Sequence, residues 1–395
     1  MSTFAVANKS FLAATNVGDH VLQRLGLKFN LADEEHVAEV FEVLSDAIGM
    51  NKVNQLGLDM SAKMDDHQAS ESRALFLTSL VTRSSLVFGW LKQLTIQQLS
   101  FATSLDLDRL LKSCKKLETL KMVTCNCGVA DPWAIDAPES QLRCLIFEDC
   151  DFGVISLLCL PRLEHLVCSD WFYSSNPLFL GNVPCLKTLN MKKNARLDQD
   201  KLMLSTILAN TPNIEHLSLG FGAERIWIME ERAQLLRGSF SKLKSLSLTG
   251  IFLGCDLLWT LRFLELAPSL ETLNIQVWET RRNDKRNEIY GEKPKSITWE
   301  VPNFQHDHLK KFELFGYQRI TSHFEFVRHV TRRAVCLEQI FLVDGAFPSF
   351  LTAGCEERRV NFKTKRYKYK IDHNGQNRLI RLSYTKKLKC PYCCK

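Results

Sequence analysis

One six-residue pattern, Leu-x-x-Leu-x-Leu, governs this chain. With Ile, Val, Met, Phe or Cys allowed at the apolar places, it recurs twelve times. It appears as LQRLGL at 22, VNQLGL at 53, LKQLTI at 91, LETLKM at 117, LRCLIF at 142 and LEHLVC at 163. It continues as LKTLNM at 186, IEHLSL at 214, LKSLSL at 243, LETLNI at 270, LKKFEL at 309 and LEQIFL at 337. One such hexamer says only that a short stretch alternates like a strand. Twelve of them, starting 21 to 39 residues apart, define a repeated unit.

The physical consequence follows from the spacing. The last two apolar residues of each hexamer are two apart, so they lie on one face of a short strand. A lone coil of this kind cannot bury that face; stacked coils can. The expected fold is therefore an α/β leucine-rich-repeat solenoid of about twelve irregular coils. It has a parallel concave β-sheet on one side and helices or irregular segments on the convex side.

Several return segments carry helical periodicity. Residues 33–48 set Val37, Val40, Phe41, Leu44 and Ile48 on one stripe, with acids at the start where the helix dipole favours them. LDLDRLLKSC, QDKLMLSTILAN, DLLWTLRFLELA and HFEFVRHVTRRA precede later hexamers in the same way. The ninth place of a coil usually holds Asn or Cys, whose side chain satisfies turn backbone groups. Only Asn30, Cys125, Cys150 and Asn194 conform, so the coils are expected to be uneven. The long gap after the hexamer at 270 holds ETRRNDKRNEIYGEKPKS, read as a surface excursion.

Fourteen cysteines would suit a secreted disulfide protein, but MSTFAVANKSFLAATNVGDH shows no basic region followed by an apolar run. GVISLLCLP is about the longest apolar run, well short of a membrane span of roughly 18 residues. The expectation is a cytoplasmic or nuclear protein with free thiols and no membrane partner. Residues 1–21 read as an N-terminal segment, 22–357 as the solenoid and 358–395 as a basic tail. The tail holds 13 Lys/Arg against one acid, Asp372, while the rest carries a net charge of −5. RYKYKIDHNGQNRLIRLSY, with Asn374-Gly375 between two alternating runs, reads as a hairpin. Two readings of the tail stand. It caps the last coil with lysines discouraging edge pairing, or it binds nucleic acid or an acidic partner through Lys/Arg interleaved with Tyr367, Tyr369 and Tyr384. KTKRYKYK is also a weak nuclear-import signal.

Catalytic signatures are lacking: no G-x-x-x-x-G-K-[ST], no G-x-S-x-G and no H-E-x-x-H. The expectation is a non-enzyme without cofactor or metal. Cys125, Cys150 and Cys168 sit at structural places of the repeat. Cys390, Cys393 and Cys394 form half of a zinc motif with no second half, or else a loose tail. His165 and His216 occupy one repeated place and read as solvated. What remains is the solvent side of the sheet. The hexamer alignment sets its middle row as Gly26, Gly57, Thr95, Lys121, Ile146, Val167, Asn190, Ser218, Ser247, Asn274, Glu313 and Phe341. The central places are small, polar or aliphatic, with no charge cluster, which suits a protein or peptide ligand better than nucleic acid. The candidate partner-binding residues are Lys121, Asn190, Ser218, Ser247, Asn274, Phe172 and Tyr173. The last two are read either as exposed anchors or as buried under the adjoining coil.

The segment HDHLKKFELFGYQRITSHFEFVRHVTRRAVCLEQIFLVDG (306–345) resembles the FBD-type C-terminal region of plant F-box/leucine-rich-repeat proteins. VLQRLGLKFNLADEEHVAEVFEVLSDAIGMNKVNQLGLDM resembles the first repeat of that family. The likeness spans residues 11–345. It implies a substrate-recognition array of a ubiquitin ligase. The F-box itself is expected to be absent, with neither a Leu-Pro opening nor an Arg-Trp closing ahead of the first strand, so ligase components would join only through an F-box supplied elsewhere.

Overall fold

The computed structural model describes residues 21–62, 67–127, 133–171, 178–193, 201–222, 226–279, 303–344, 347–348, 365–371 and 377–383. The chain forms two compact units, Met1–Leu186 and Lys187–Lys395. Each hexamer seeds one parallel strand, six in each unit, and the architecture is a leucine-rich-repeat solenoid.

In the first unit the strands are β1 (Leu25–Asn30), β2 (Leu56–Ser61), β3 (Leu91–Gln97), β4 (Thr119–Val123), β6 (Cys144–Glu148) and β8 (His165–Trp171), paired in that order. Return segments form α1 (Glu34–Gly49), α2 (His67–Arg83), α3 (Ser85–Trp90) and α4 (Ser104–Ser113). α1 begins at Asp33, whose carboxylate accepts from the His36 amide at 3.2 Å. It buries Val37, Val40, Phe41, Leu44, Ala47 and Ile48. The Phe41 ring lies 6.0 Å from Phe29 of β1 and 5.5 Å from Phe88 of α3, locking the first coils together.

Beyond α4 the return segments change character. Helices or irregular segments were expected on this side, but three coils use strands instead: β5 (Trp133–Asp136), β7 (Ile155–Cys159) and β9 (Leu178–Asn182). These pair in parallel as a second small sheet. The coils concerned start only 25, 21 and 23 residues apart. A strand rises about 3.3 Å per residue against 1.5 Å for a helix, so a short return fits a strand better. The run GVISLLCLP contains β7. Trp133, Phe147 and Phe152 pack edge-on or tilted at 5.5–5.8 Å and fill the space between the two sheets.

In the second unit, β10 (Thr188–Lys193), β11 (His216–Gly220), β12 (Ser245–Phe252), β13 (Thr272–Glu279), β14 (Lys311–Tyr317) and β15 (Gln339–Asp344) pair in order. The two-residue β16 (Phe347–Pro348) adds to β13. β17 (Lys365–Ile371) runs antiparallel on β15, and β18 (Asn377–Ser383) antiparallel on β17. The Asn374-Gly375 turn lies outside the described residues. Short helices α5 (Leu204–Leu208), α6 (Ala233–Phe240) and α7 (Leu261–Leu266) and the longer α8 (Thr321–Arg333) return the chain. A run of ring contacts, Trp227–Phe221–Trp259–Phe263–Phe240, crosses the coils at 5.6–5.9 Å. Each such buried ring contributes on the order of 2 kcal/mol.

Turn chemistry ties coil to coil. Gln98, Thr124, Asp149 and Asp170 all take positive φ, at 52–61°, at the same place two residues beyond their hexamers. At the ninth place, the Cys125 thiol donates to Ile96 O at 3.6 Å and Val123 O at 3.4 Å. The Cys150 thiol donates to Met122 O and Glu148 O, both at 3.4 Å. Each thiol thus reaches back to the preceding strand. In the second unit, His306 Nε2–H donates to Ala267 O at 2.9 Å, and its Nδ1 accepts the Leu309 amide at 3.1 Å.

Candidate functional site

The open face of each sheet, turned from the helices, is built by the alternate residues of the hexamers. In the second unit Asn190, Ser218, Ser247, Asn274, Glu313 and Phe341 stand on consecutive rungs in strict register. Thr188, His216, Ser245, Thr272, Lys311 and Gln339 form the row beside them. Four of the sequence candidates, Asn190, Ser218, Ser247 and Asn274, are therefore neighbours about 4.8 Å apart along one line. Their short hydroxyl and amide side chains leave a shallow, half-exposed floor.

Lys121 belongs to the first unit, where the register departs from the hexamer alignment. β2 and β3 pair Leu56 with Leu91 but Gly57 with Gln93, so Asp59 meets Thr95. Gly26 and Gly57 thus leave the middle row, and Lys28 and Asp59 take their places. The cause is burial: Phe29 and Met60, beyond the hexamers, enter the core. The row now carries charge at this end, where the hexamer alignment set two glycines. Lys28 Nζ lies 3.4 Å from Asp59, which also accepts from Gln97 Nε2 at 2.9 Å. Lys121 Nζ lies 2.7 Å from Glu148. Phe172 and Tyr173 lie outside the described residues.

The second hexamer place holds a feature that reading the apolar places alone missed. From the third coil to the twelfth it reads Lys92, Glu118, Arg143, Glu164, Lys187, Glu215, Lys244, Glu271, Lys310 and Glu338, alternating in sign without a break. Side chains of neighbouring coils meet: Lys92–Glu118 at 2.9 Å, Arg143–Glu164 at 2.8 Å, Glu215–Lys244 at 2.7 Å and Glu271–Lys310 at 3.3 Å. The Lys244 hydrogen bond holds the Glu215 carboxyl below its ordinary value. Each exposed pair contributes little by itself. Together they give one border of the open face a balanced charge, and they penalise a slip of one coil, which would set like against like.

Other candidate chemistry resolves into structure. Ten described cysteines are free thiols. Burial pushes Cys114 and Cys168 up to about 12, which keeps them protonated and unreactive. His165 and His216 are exposed. Among the described residues no group of three or more His, Cys, Asp or Glu is placed to hold a metal ion; Cys390, Cys393, Cys394 and Tyr384 lie outside them. No described helix is long and apolar enough to cross a membrane.

On this face Asn274 carries a buried polar atom without a hydrogen-bond partner. Its Nδ2 faces Glu313 Oε2 at 3.5 Å, while its Oδ1 is buried without a hydrogen-bond partner. A family model described as At1g61320/AtMIF1, LRR domain, matches residues 51–364. No curated protein matches the chain.

Proposed function

Taking as premise that the chain belongs to the At1g61320/AtMIF1 leucine-rich-repeat domain family of plant proteins, we propose that it works as a protein-interaction module without catalysis of its own. The docking surface is the open face of the second unit, centred on Asn190, Ser218, Ser247 and Asn274. The observation that carries this reading is the unbroken register of short uncharged side chains over four rungs, bordered by a charge-balanced ladder. Such a floor admits a polypeptide closely and offers no positive stripe for a phosphate backbone. Lys121 serves as a contact on the first unit's face, and Phe172 and Tyr173 as anchors. In the finer reading, which rests on the likeness of 306–345 to FBD-type regions, the docked protein is a substrate for ubiquitin ligation and an F-box supplied with the chain or by another joins it to the ligase.

The test places a photo-crosslinking residue at Ser247 in plant cells and identifies the captured protein. Ser218→Trp and Ser247→Trp, which fill the floor, should each abolish its binding to the purified chain without changing thermal unfolding. Binding that survives both would remove the docking surface. A cullin-ligase adaptor recovered with the complex would support the finer reading, and its absence would remove it.

A second reading keeps the basic tail as a nucleic-acid or acidic-partner site, because Lys365, Arg366, Lys368 and Lys370 gather on β17 and Arg378 and Arg381 on the adjacent β18. It requires binding that falls steeply with salt and disappears when 358–395 is deleted.

A further inference from the structure

We infer that the outward face of α8 is a docking site for α1 of a second copy of this chain. α8 buries His323, Phe326, Val327 and Val330 and turns its other side to solvent. That side carries Phe324, Arg328 and Arg332, spaced i, i+4 and i+8 along one helical stripe. Phe324 is 53% exposed, and two more apolar residues flank the stripe in the open, Ile320 at the N-cap and Val335 just past the end. Apolar side chains left to water in line with cations mark an interaction face. The helix has a single acid, Glu325, against Arg328, Arg332 and Arg333. Its occupant therefore has to bring carboxylates, with an apolar group at one end to meet Phe324.

The chain itself holds such an element. α1 has five acids, Glu34, Glu35, Glu39, Glu42 and Asp46, and no Lys or Arg. Glu35, Glu39, Glu42 and Asp46 fall at i, i+4, i+7 and i+11, directly opposite the buried Val37, Phe41, Leu44 and Ile48. Among the described residues none of these four carboxylates forms an ion pair. Met50, just past the helix, is 59% exposed. The spacings of the two faces match when the helices run antiparallel. Met50 then meets Phe324, Asp46 meets Arg328 and Glu42 meets Arg332, each step being four residues or about 6 Å on both sides. Arg328 must leave Glu325, which it holds at 3.2 Å, but that pair is exposed and gives way at little cost. Both helices lie on the side of their own sheet away from the open face, so this contact is separate from the docking surface proposed above. One helix pair is smaller than a standard interface, so the association is weak, and its charges make it sensitive to salt.

The test is sedimentation velocity of the full chain over a range of concentrations, at about 50 mM and about 500 mM salt. Association should rise with concentration at low salt and weaken at least about tenfold at high salt. Reversing α8 (Arg328→Glu with Arg332→Glu) and reversing α1 (Glu42→Lys with Asp46→Lys) should each leave a monomer. Thermal unfolding should not change, because all four side chains are exposed. A mixture of the two reversed chains should associate again, since the native α1 of one meets the native α8 of the other. Phe324→Ser and the milder pair Arg328→Gln with Arg332→Gln should each weaken association about threefold or more. A native chain that stays monomeric, association indifferent to salt, or a mixture that stays monomeric would each overturn the proposal. Association lost on reversing α1 but kept on reversing α8 would assign the basic side to another segment, 358–395 included, and overturn it too. Should a reversed chain unfold, the two milder variants decide: association unchanged in both would overturn it.

Discussion

Replacing His306 by alanine tests how the coils of the second unit are held. His306 is 2% exposed, and its ring links two loops that are 39 residues apart in sequence. Nε2–H donates to Ala267 O at 2.9 Å, while Nδ1 accepts from the Leu309 amide at 3.1 Å and the His308 amide at 3.3 Å. Ala267 and Leu309 are themselves fully buried, so water cannot replace the imidazole without opening the turn. The Leu309 amide left unsatisfied costs about 1–3 kcal/mol, Ala267 O keeps its bond from the Leu270 amide, and the empty volume adds to this, so about 3 kcal/mol is expected. Because a repeat array can lose cooperativity, a single global midpoint would misassign the loss. Native-state hydrogen exchange is the better assay. Protection should fall in β13 and β14 while β1–β3 keep theirs. A loss below about 1 kcal/mol, or one spread evenly over all strands, would refute the view that His306 is a local clasp.

Acid should act on the same region. Burial lowers the pKa of both His306 and His323 from the ordinary 6.5. The unfolded chain then binds more protons than the folded one below about pH 6.5, so this stability is present above that pH and is lost as pH falls towards the folded values. Protection in β14 and α8, taken relative to the intrinsic exchange rate at each pH, should fall between pH 7 and 5, and His306→Gln should flatten part of that dependence. Gly316 sits at φ 76°, and a Cβ there would lie 2.1 Å from Val277 O. Gly316→Ala should therefore cost at least about 2 kcal/mol and move β14 away from β13, measured by denaturant unfolding and exchange. Lys244→Glu would place three acids in succession with Glu215 and Glu271. It should lower the thermal midpoint more than Lys244→Ala does, and the difference should shrink as salt is raised. Equal midpoints for the two variants at low salt would show that the ladder's sign order is irrelevant.

The chain states its strands plainly because the information is local. Two apolar residues two apart, repeated at a near-constant interval, allow one arrangement in which every coil hides its neighbour's apolar side. All twelve hexamers accordingly lie in or against the parallel strands. The candidates Asn190, Ser218, Ser247 and Asn274 could be placed on one line for the same reason, since register in a parallel ladder follows from which residues must be buried. The charge ladder was equally open to view in the second hexamer place; it escaped because only apolar places were aligned.

Other features depend on groups distant in sequence. The helix α4 shows its periodicity in its own residues, but the apolar run that becomes β7 does not state its form, since a short apolar run buries as well in either. The neighbouring coil's length and the Trp133–Phe147–Phe152 cluster decide it. The shift that exchanges Gly26 and Gly57 for Lys28 and Asp59 comes from Phe29 and Met60 finding room in the core, which no hexamer count contains. Which way the Asn274 amide faces depends on Glu313, 39 residues later, arriving on the next rung. Repetition sets which residues can share a face; packing between coils sets what those residues meet there.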